Sequence, residues 1–302
     1  MSLVKDRSKK GNAVLINNTS LCNEITVGKY YLKTMILLYK TTFLQVLLFN
    51  SQSWSNIRKG EMEVLKISQL KFLKRMMKVP SSASNTAVYL ELCLLPIHYE
   101  IHKRQLMFLY HILTLTPKDP VRLMFEQQQL LPYEKNWANS IRVLIGKYEL
   151  VSDYEKISEL TKHKWEQMVE EKVNGNAYTE LVSANEDRSK TRELSYDSLQ
   201  QRKYITEKPA EIACLIFRVR IKSINCKVNM KSSFSDLKCR LCQSEDEDQN
   251  HIVNCSKVKD SGEDIDISNL REDEDDWRLD DTQLEEVGKR VTKFKELISE
   301  NG

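Results

Sequence analysis

Apolar residues recur at helical spacing along most of the chain. Between residues 30 and 50 the apolar positions are Ile36, Tyr39, Phe43, Val46 and Leu47. Their spacing places them on one broad face of a helix, because α-helical neighbours recur every three to four residues. The same spacing over residues 97–115, directly after Pro96, predicts another helix with a buried face.

Residues 61–79 show the clearest separation of apolar and charged positions. At about 100° per residue the apolar side chains fall within a sector roughly 120° wide. They are Met62, Leu65, Phe72, Leu73, Met76 and Val79. The cations Lys71, Lys74, Arg75 and Lys78 fall on the opposite side. Such a row predicts contacts with a phosphate backbone, and a solvated helix face is an equal alternative from the pattern alone.

The remaining pattern predicts a mainly α protein. Pro209 precedes a helix with an apolar face. On this helix and just after it, we expect three cations to point toward solvent, Arg218, Arg220 and Lys222. They predict a second, weaker contact with phosphate. An amphipathic helix should close the chain at 282–298, with Thr282 and Glu285 as a capping box. Only eight glycines and six prolines occur, which disfavours a turn-rich β architecture.

These elements suggest five consecutive parts. Residues 1–116 should form a helical bundle, 117–182 a helical connector and 183–195 a polar linker. Residues 196–256 should hold a helix and a small metal-stapled segment, and 257–302 an acidic tail that ends in the amphipathic helix. The stretch around 260–277 is acidic enough to predict disorder.

Charge divides the chain into a basic body and an acidic end. Residues 231–302 carry 11 Lys and Arg against 20 Asp and Glu, whereas the whole chain has a net charge of +3. A basic body favours a polyanionic partner. The seven cysteines are an odd number, and four of them are scattered among apolar neighbours. We therefore expect an intracellular, reducing compartment, and no membrane span because Lys33 and Lys40 interrupt the most apolar segment.

A cluster of possible metal ligands has the form C-x2-C-x8-H-x3-C. Its members are Cys239, Cys242, His251 and Cys255. Thiolates and imidazole suit Zn²⁺, and four protein ligands leave no open position for a substrate, so we expect a structural zinc site. Glu245 to Asp248 fill the loop with acid, and a Cys3His zinc site itself carries about −1. We expect this loop to repel phosphates and the metal to act as a staple.

Three stretches carry a resemblance to a known family. They are residues 20–57, residues 70–115 and CRLCQSEDEDQNHIVNC at 239–255. They resemble the C-terminal third of non-LTR (LINE-type) retrotransposon reverse transcriptases, where a helical thumb is followed by a helix rich in Arg and a Cys/His zinc motif. The resemblance covers residues 1–256. It implies that Lys71, Lys74, Arg75 and Lys78 hold RNA or an RNA–DNA duplex and that the Cys3His set binds zinc.

The resemblance does not imply catalysis. In the family the palm with its Tyr-x-Asp-Asp motif lies upstream of this region, so we expect a non-catalytic fragment that binds nucleic acid. One alternative is a protein-interaction module, in which the acidic tail and the apolar face of 282–298 dock a partner protein. Others are a decayed element with no present function, and a piece that completes a separate palm.

Overall fold

A computed structural model describes residues 4–13, 31–131, 135–188, 190–194, 196, 199–259, 262–272 and 278–301. Helices dominate these residues, which confirms the prediction of a mainly α fold. The first seven helices are α1 (4–13), α2 (Tyr31–Leu38), α3 (Leu44–Leu47), α4 (Lys59–Met76), α5 (Asn85–Leu92), α6 (Ile97–Thr114) and α7 (Pro120–Leu130). The others are α8 (Trp137–Lys147), α9 (Tyr154–Glu159), α10 (Lys162–Glu186), α11 (Lys203–Glu207), α12 (Ala210–Arg220), α13 (Gln249–Asn254) and α14 (Asp281–Asn301).

The chain divides into two compact units that are not consecutive in sequence. The first comprises residues 1–20, 37–72 and 94–182, and the second 21–36, 73–93 and 183–302. In the first unit α6 packs against α7, α8, α9 and the 3-10 turn Ser51–Ser53. The indole of Trp165 is fully buried and donates to the carbonyl of Leu106 at 3.0 Å, which fixes α10 on α6.

Most residues of the predicted apolar stripes are buried, whereas Val46, Met62 and Val79 are half-buried. Leu65, Phe72, Leu73 and Met76 of α4 are buried, as are Tyr39, Phe43 and Leu47 of the segment before it. The helix ends at Met76, and Lys78 has a left-handed φ of 53°, ahead of Pro80. Burial of these faces removes apolar surface from water and is the main favourable contribution to folding.

Lys74 does not belong to the row of exposed cations that the sequence predicts on α4. Its side chain is buried, and its ammonium donates to the carbonyls of Ser81 and Ala83, each at 2.6 Å. Burial lowers the pKa of Lys74. The residue is adjacent to Leu73, at the edge of the apolar face, and the loop after α4 folds back over it. The prediction that Lys74 lies on the exposed side of α4 is therefore wrong, and its ammonium is already used within the chain.

Arg220 does not belong to the second group of solvent-facing cations that the sequence predicts. Both it and Glu91 are almost fully buried in the second unit, and the guanidinium Nε lies 2.9 and 3.1 Å from the two carboxylate oxygens. Tyr196 and Tyr204 donate their hydroxyls to the same carboxylate at 3.0 and 2.6 Å. Arg220 also donates to the carbonyls of Leu270 and Glu272. The prediction that Arg220 faces solvent is wrong, since its donors serve this buried network.

The predicted linker over 183–195 is also corrected. Helix α10 continues to Glu186, and Thr191 is fully buried, with its hydroxyl 2.7 Å from the side-chain oxygen of Asn185. Buried polar groups of this kind persist where they are hydrogen-bonded. Residues 189 and 195 lie outside the described residues, but the stretch around them packs within the second unit.

Described residues of the predicted acidic tail are buried in the fold. Ile265, Ile267 and Leu270 are buried, so the prediction of disorder is wrong for 262–272, while 260–261 and 273–277 lie outside the described residues. Helix α14 begins one residue earlier than expected, at Asp281. Asp280 and Gln283 form the reciprocal cap that was assigned to Thr282 and Glu285.

The apolar face of α14 is used within the chain. Its buried residues are Leu284, Val287, Val291 and Phe294, and the helix packs against α12 and α13. This face is therefore not open to a partner protein in the folded chain, which removes the main support for the predicted interaction module. Arg290 adds polar anchors, because its guanidinium donates to the carbonyls of Val253 and Glu263.

Candidate metal centre and basic surfaces

The four predicted ligands come together in the second unit. A tight turn carries Cys239 and Cys242, in which the amide of Cys239 donates to the carbonyl of Glu245 at 2.8 Å. Helix α13 carries His251, and Cys255 follows directly at its C-cap. The ligand atoms all lie within 4.8 Å of one another. The structure thus confirms that the sequence spacing builds one cluster.

Two of the distances in this cluster match the edges of a tetrahedral site. The sulfurs of Cys239 and Cys255 are 3.8 Å apart, and the sulfur of Cys242 is 3.3 Å from Nε2 of His251. A tetrahedron with metal–sulfur bonds of about 2.3 Å has sulfur–sulfur edges of about 3.8 Å. Cys239 and Cys255 are fully buried, which shields the cluster from water. The Cys3His set could therefore hold a metal ion.

Two ligand thiols have opposite tendencies to ionise. Burial and the neighbouring Cys239 raise the pKa of Cys255 to about 12. Burial also opposes ionisation of Cys242, but hydrogen bonds from Ser244 and the backbone lower the pKa of Cys242 to about 6. A bound cation favours the thiolate form of every cysteine ligand, so metal binding releases protons.

The acidic loop has a separate role for each carboxylate. Glu245 accepts from Nδ1 of His251 at 3.1 Å, which leaves Nε2 to face the sulfur ligands. Asp246 pairs with Lys238 at 3.3 Å. Glu247 is fully buried and receives hydrogen bonds from the guanidinium and backbone of Arg240. Asp248 caps α13 by accepting from the amide of His251 at 2.7 Å.

These contacts revise the expectation that the loop acts as a repulsive acidic surface. Two of the four carboxylates are paired with cations, one orients a ligand, and one caps a helix. The acidic run therefore builds the ligand geometry. Sequence spacing alone missed this function, although an acid near a predicted His ligand is a signal for it, because ligating histidines commonly donate their second N–H to a carboxylate.

Replacement of Glu245 by Gln should weaken metal binding about 10–100-fold. A neutral amide accepts a weaker hydrogen bond than a carboxylate from Nδ1–H of His251, and this hydrogen bond orients the ligand. Competition with a chromophoric chelator measures this affinity. Asp246→Asn is the matched control, since its side chain pairs with Lys238 and not with a ligand. Equal affinities for both variants would show that Glu245 does not support the centre.

The other cysteines that the structure describes, Cys93, Cys214 and Cys226, are not among the clustered ligands. Burial raises the pKa of the Cys214 and Cys226 thiols to about 11 each, which keeps them protonated and unreactive. Cys93 donates to the carbonyl of Leu199 at 2.9 Å. Cys22 lies outside the described residues.

The exposed cations that remain from the sequence prediction are Lys71, Arg75 and Lys78. They make no salt bridge within the described part of the chain, and their side chains reach solvent. Lys222 is half-buried and lies 3.3 Å from Glu193. Arg218 is half-buried, and its Nε donates to the carbonyl of Cys214.

Helix α12 packs against α14, and the sulfur of Cys214 on α12 lies 3.9 Å from the carbonyl of Met76 at the end of α4. These contacts bring together three segments that each carry a cation, and we call Lys78, Arg218 and Lys295 the basic patch. Lys78 and Arg218 both act on the Cys214 thiol and oppose the rise in its pKa that burial causes. Burial and then the charge of Arg218 lower the pKa of Lys295. The sequence predicted the first two residues separately and missed Lys295, because it lies in the acidic end of the chain.

No match decides a family for this chain. Family models, curated proteins and solved structures were compared with it, and none matches. Among the described residues no helix combines the length and apolar character that a bilayer crossing requires.

Proposed function

We propose that this chain is a non-catalytic nucleic-acid-binding protein, related to the C-terminal region of LINE-type reverse transcriptases, in which zinc has a structural role. The basic patch is the observation that carries the proposal. Its three cations lie on α12, on α14 and in the turn after α4, which are segments that pack together. Two of the three were predicted as phosphate contacts from sequence alone. Such clusters bind phosphate backbones through release of condensed counterions.

The choice of zinc rests on ligand chemistry. Three thiolates and one imidazole at tetrahedral spacing match the preference of Zn²⁺ over harder cations such as Mg²⁺ or Ca²⁺. With all four positions filled by protein, the ion has no open position, so its role is to hold the turn at 239–242 on α13. When bound, Zn²⁺ would act as a Lewis acid toward its four ligands. The free energy of these bonds would stabilise a segment with a small apolar core.

The ligand class we propose is RNA or an RNA–DNA duplex. Lys71, Arg75 and Lys78 are exposed, and the family resemblance assigns these residues to a thumb that holds such a duplex. Cations that contact the phosphate backbone of a duplex do not read its bases. Recognition should therefore depend on charge and on the shape of the duplex.

Reversal of Lys71, Arg75 and Lys78 to Glu should lower the affinity for a labelled RNA–DNA duplex by at least about tenfold near 100 mM salt. It should also flatten the dependence of log Kd on log salt by about 2–3, since each lost duplex phosphate contact removes about 0.9 from that slope. Filter binding from about 50 to 200 mM salt measures both quantities.

The matched control reverses Lys118, Lys162 and Lys164, which are exposed in the first unit and change the net charge by the same amount. It should bind with nearly the affinity of the unmodified chain. An equal loss in both triple variants would show that only net charge matters, and a failure of the unmodified chain to bind at low salt would refute the proposed function.

A further inference from the structure

A cleft in the second unit lies beside the metal cluster. It has a volume of about 650 Å³ and is lined by cations from three segments, the turn at 190, the stretch 222–232 and the 3-10 helix Ser268–Arg271. The cations are Lys190, Lys222, Lys231 and Arg271. None of them belongs to the basic patch, and only Lys222 was singled out by the sequence pattern.

Positive charge is in excess in this cleft. Lys222 and Arg271 share one carboxylate oxygen of Glu193, at 3.3 and 2.7 Å. Hydrogen bonding from Lys222 and the charge of Arg271 lower the pKa of Glu193, so that carboxylate stays ionised. Asp248 is the second acid near the four cations, and its oxygen already caps α13.

Two of these cations make no salt bridge with a carboxylate in the described part of the chain. Lys190 donates to the neutral carbonyl of Asn229, which leaves its charge uncompensated. Lys231 is exposed and makes no salt bridge among the residues that the structure describes. An anion that enters the cleft would meet both ammonium groups without displacing an existing ion pair.

The neutral part of the lining points to the kind of anion. Amides and hydroxyls predominate, and none of the described lining residues is aromatic, so they provide no stacking platform for bases. The side-chain amides of Asn229 and Gln249 already donate to the carbonyls of Ile224 and Val219. The lysine ammonium groups are therefore the donors that suit phosphate oxygens. The volume lies within the roughly 300–1,000 Å³ of small-ligand pockets, which is too small for a duplex.

We infer that this cleft binds consecutive phosphate groups of a single-stranded nucleic acid. The inference rests on the proposed function and adds a second contact site to it, for the single strand that continues from a duplex. The cleft binds the backbone without reading bases, because its lysines contact phosphate oxygens, which carry no sequence information. Inorganic polyphosphate offers the same repeated phosphates and is the alternative source of that chemistry.

The test compares Lys190→Glu/Lys231→Glu with the unmodified full chain in binding a short labelled oligouridine. Affinity should fall by at least about tenfold near 100 mM salt, and the salt slope should flatten by about 1.4, since each single-strand phosphate contact accounts for about 0.7. Affinity for a blunt RNA–DNA duplex should change little. Lys162→Glu/Lys164→Glu is the control with the same change in charge.

The outcomes separate this inference from the proposed function. If the unmodified chain binds duplex but the cleft variant holds oligouridine as tightly as the control, the inference is overturned and the proposed function stands. If inorganic polyphosphate binds through the same lysines while oligouridine does not, the occupant is not a nucleic acid and the inference is also overturned. Should the double variant misfold, Lys231→Gln, at an exposed position, must still show about half of the change in salt slope.

Discussion

Replacement of Glu91 by Gln is expected to destabilise the second unit by about 3–5 kcal/mol, because it leaves Arg220 charged and buried without a counterion. Both side chains are at most 1% exposed, so water cannot replace the lost charge. Burial alone would lower the pKa of Arg220, but Glu91 raises it above the ordinary value, and the guanidinium stays charged. The free energy of unfolding, from urea titration followed by circular dichroism, measures the effect.

The control for this prediction is the double variant Glu91→Gln/Arg220→Met. It removes both charges while the Gln oxygen can still accept from Tyr196 or Tyr204. We expect it to be more stable than Glu91→Gln alone, because replacing a whole buried ion pair is often nearly neutral. Hydrogen exchange should localise the change to peptides of the second unit. If Glu91→Gln unfolds with the free energy of the unmodified chain, the network is not a structural centre.

The second large effect is expected on removal of the metal. An excess of chelator should raise amide exchange across residues 226–259 by at least about a hundredfold, because the binding energy of a structural zinc is largely folding energy. Exchange in α10 of the first unit should stay constant. Readdition of Zn²⁺ should restore protection. Full protection of 226–259 in the presence of chelator would contradict the role of the metal as a staple.

The sequence predicted features that depend on local spacing. The buried stripe of α4 follows from helical periodicity, and the four metal ligands follow from short gaps that a turn and one helix can span. In both cases the partners lie within a few turns of one another, so their geometry follows from secondary structure. The exposed positions Lys71 and Arg75 were predictable for the same reason.

The features that sequence reasoning missed depend on partners far away in the chain. Arg220 pairs with Glu91, 129 residues earlier, and no periodic pattern links them. Lys74 is buried by carbonyls of the loop that follows its helix. The prediction of disorder around 260–277 relied on acidic composition. Average composition does not reveal a few buried apolar residues such as Ile265 and Ile267.

The metal content of the full chain, purified without chelator, tests the central claim most directly. The account predicts one zinc ion per chain, with X-ray absorption showing three sulfur ligands at about 2.3 Å and one nitrogen at about 2.0 Å. Cys239→Ser should lose the ion, whereas Cys226→Ser, a change at a buried thiol outside the cluster, should retain it. A folded chain without metal, or with metal that survives Cys239→Ser unchanged, would contradict the account.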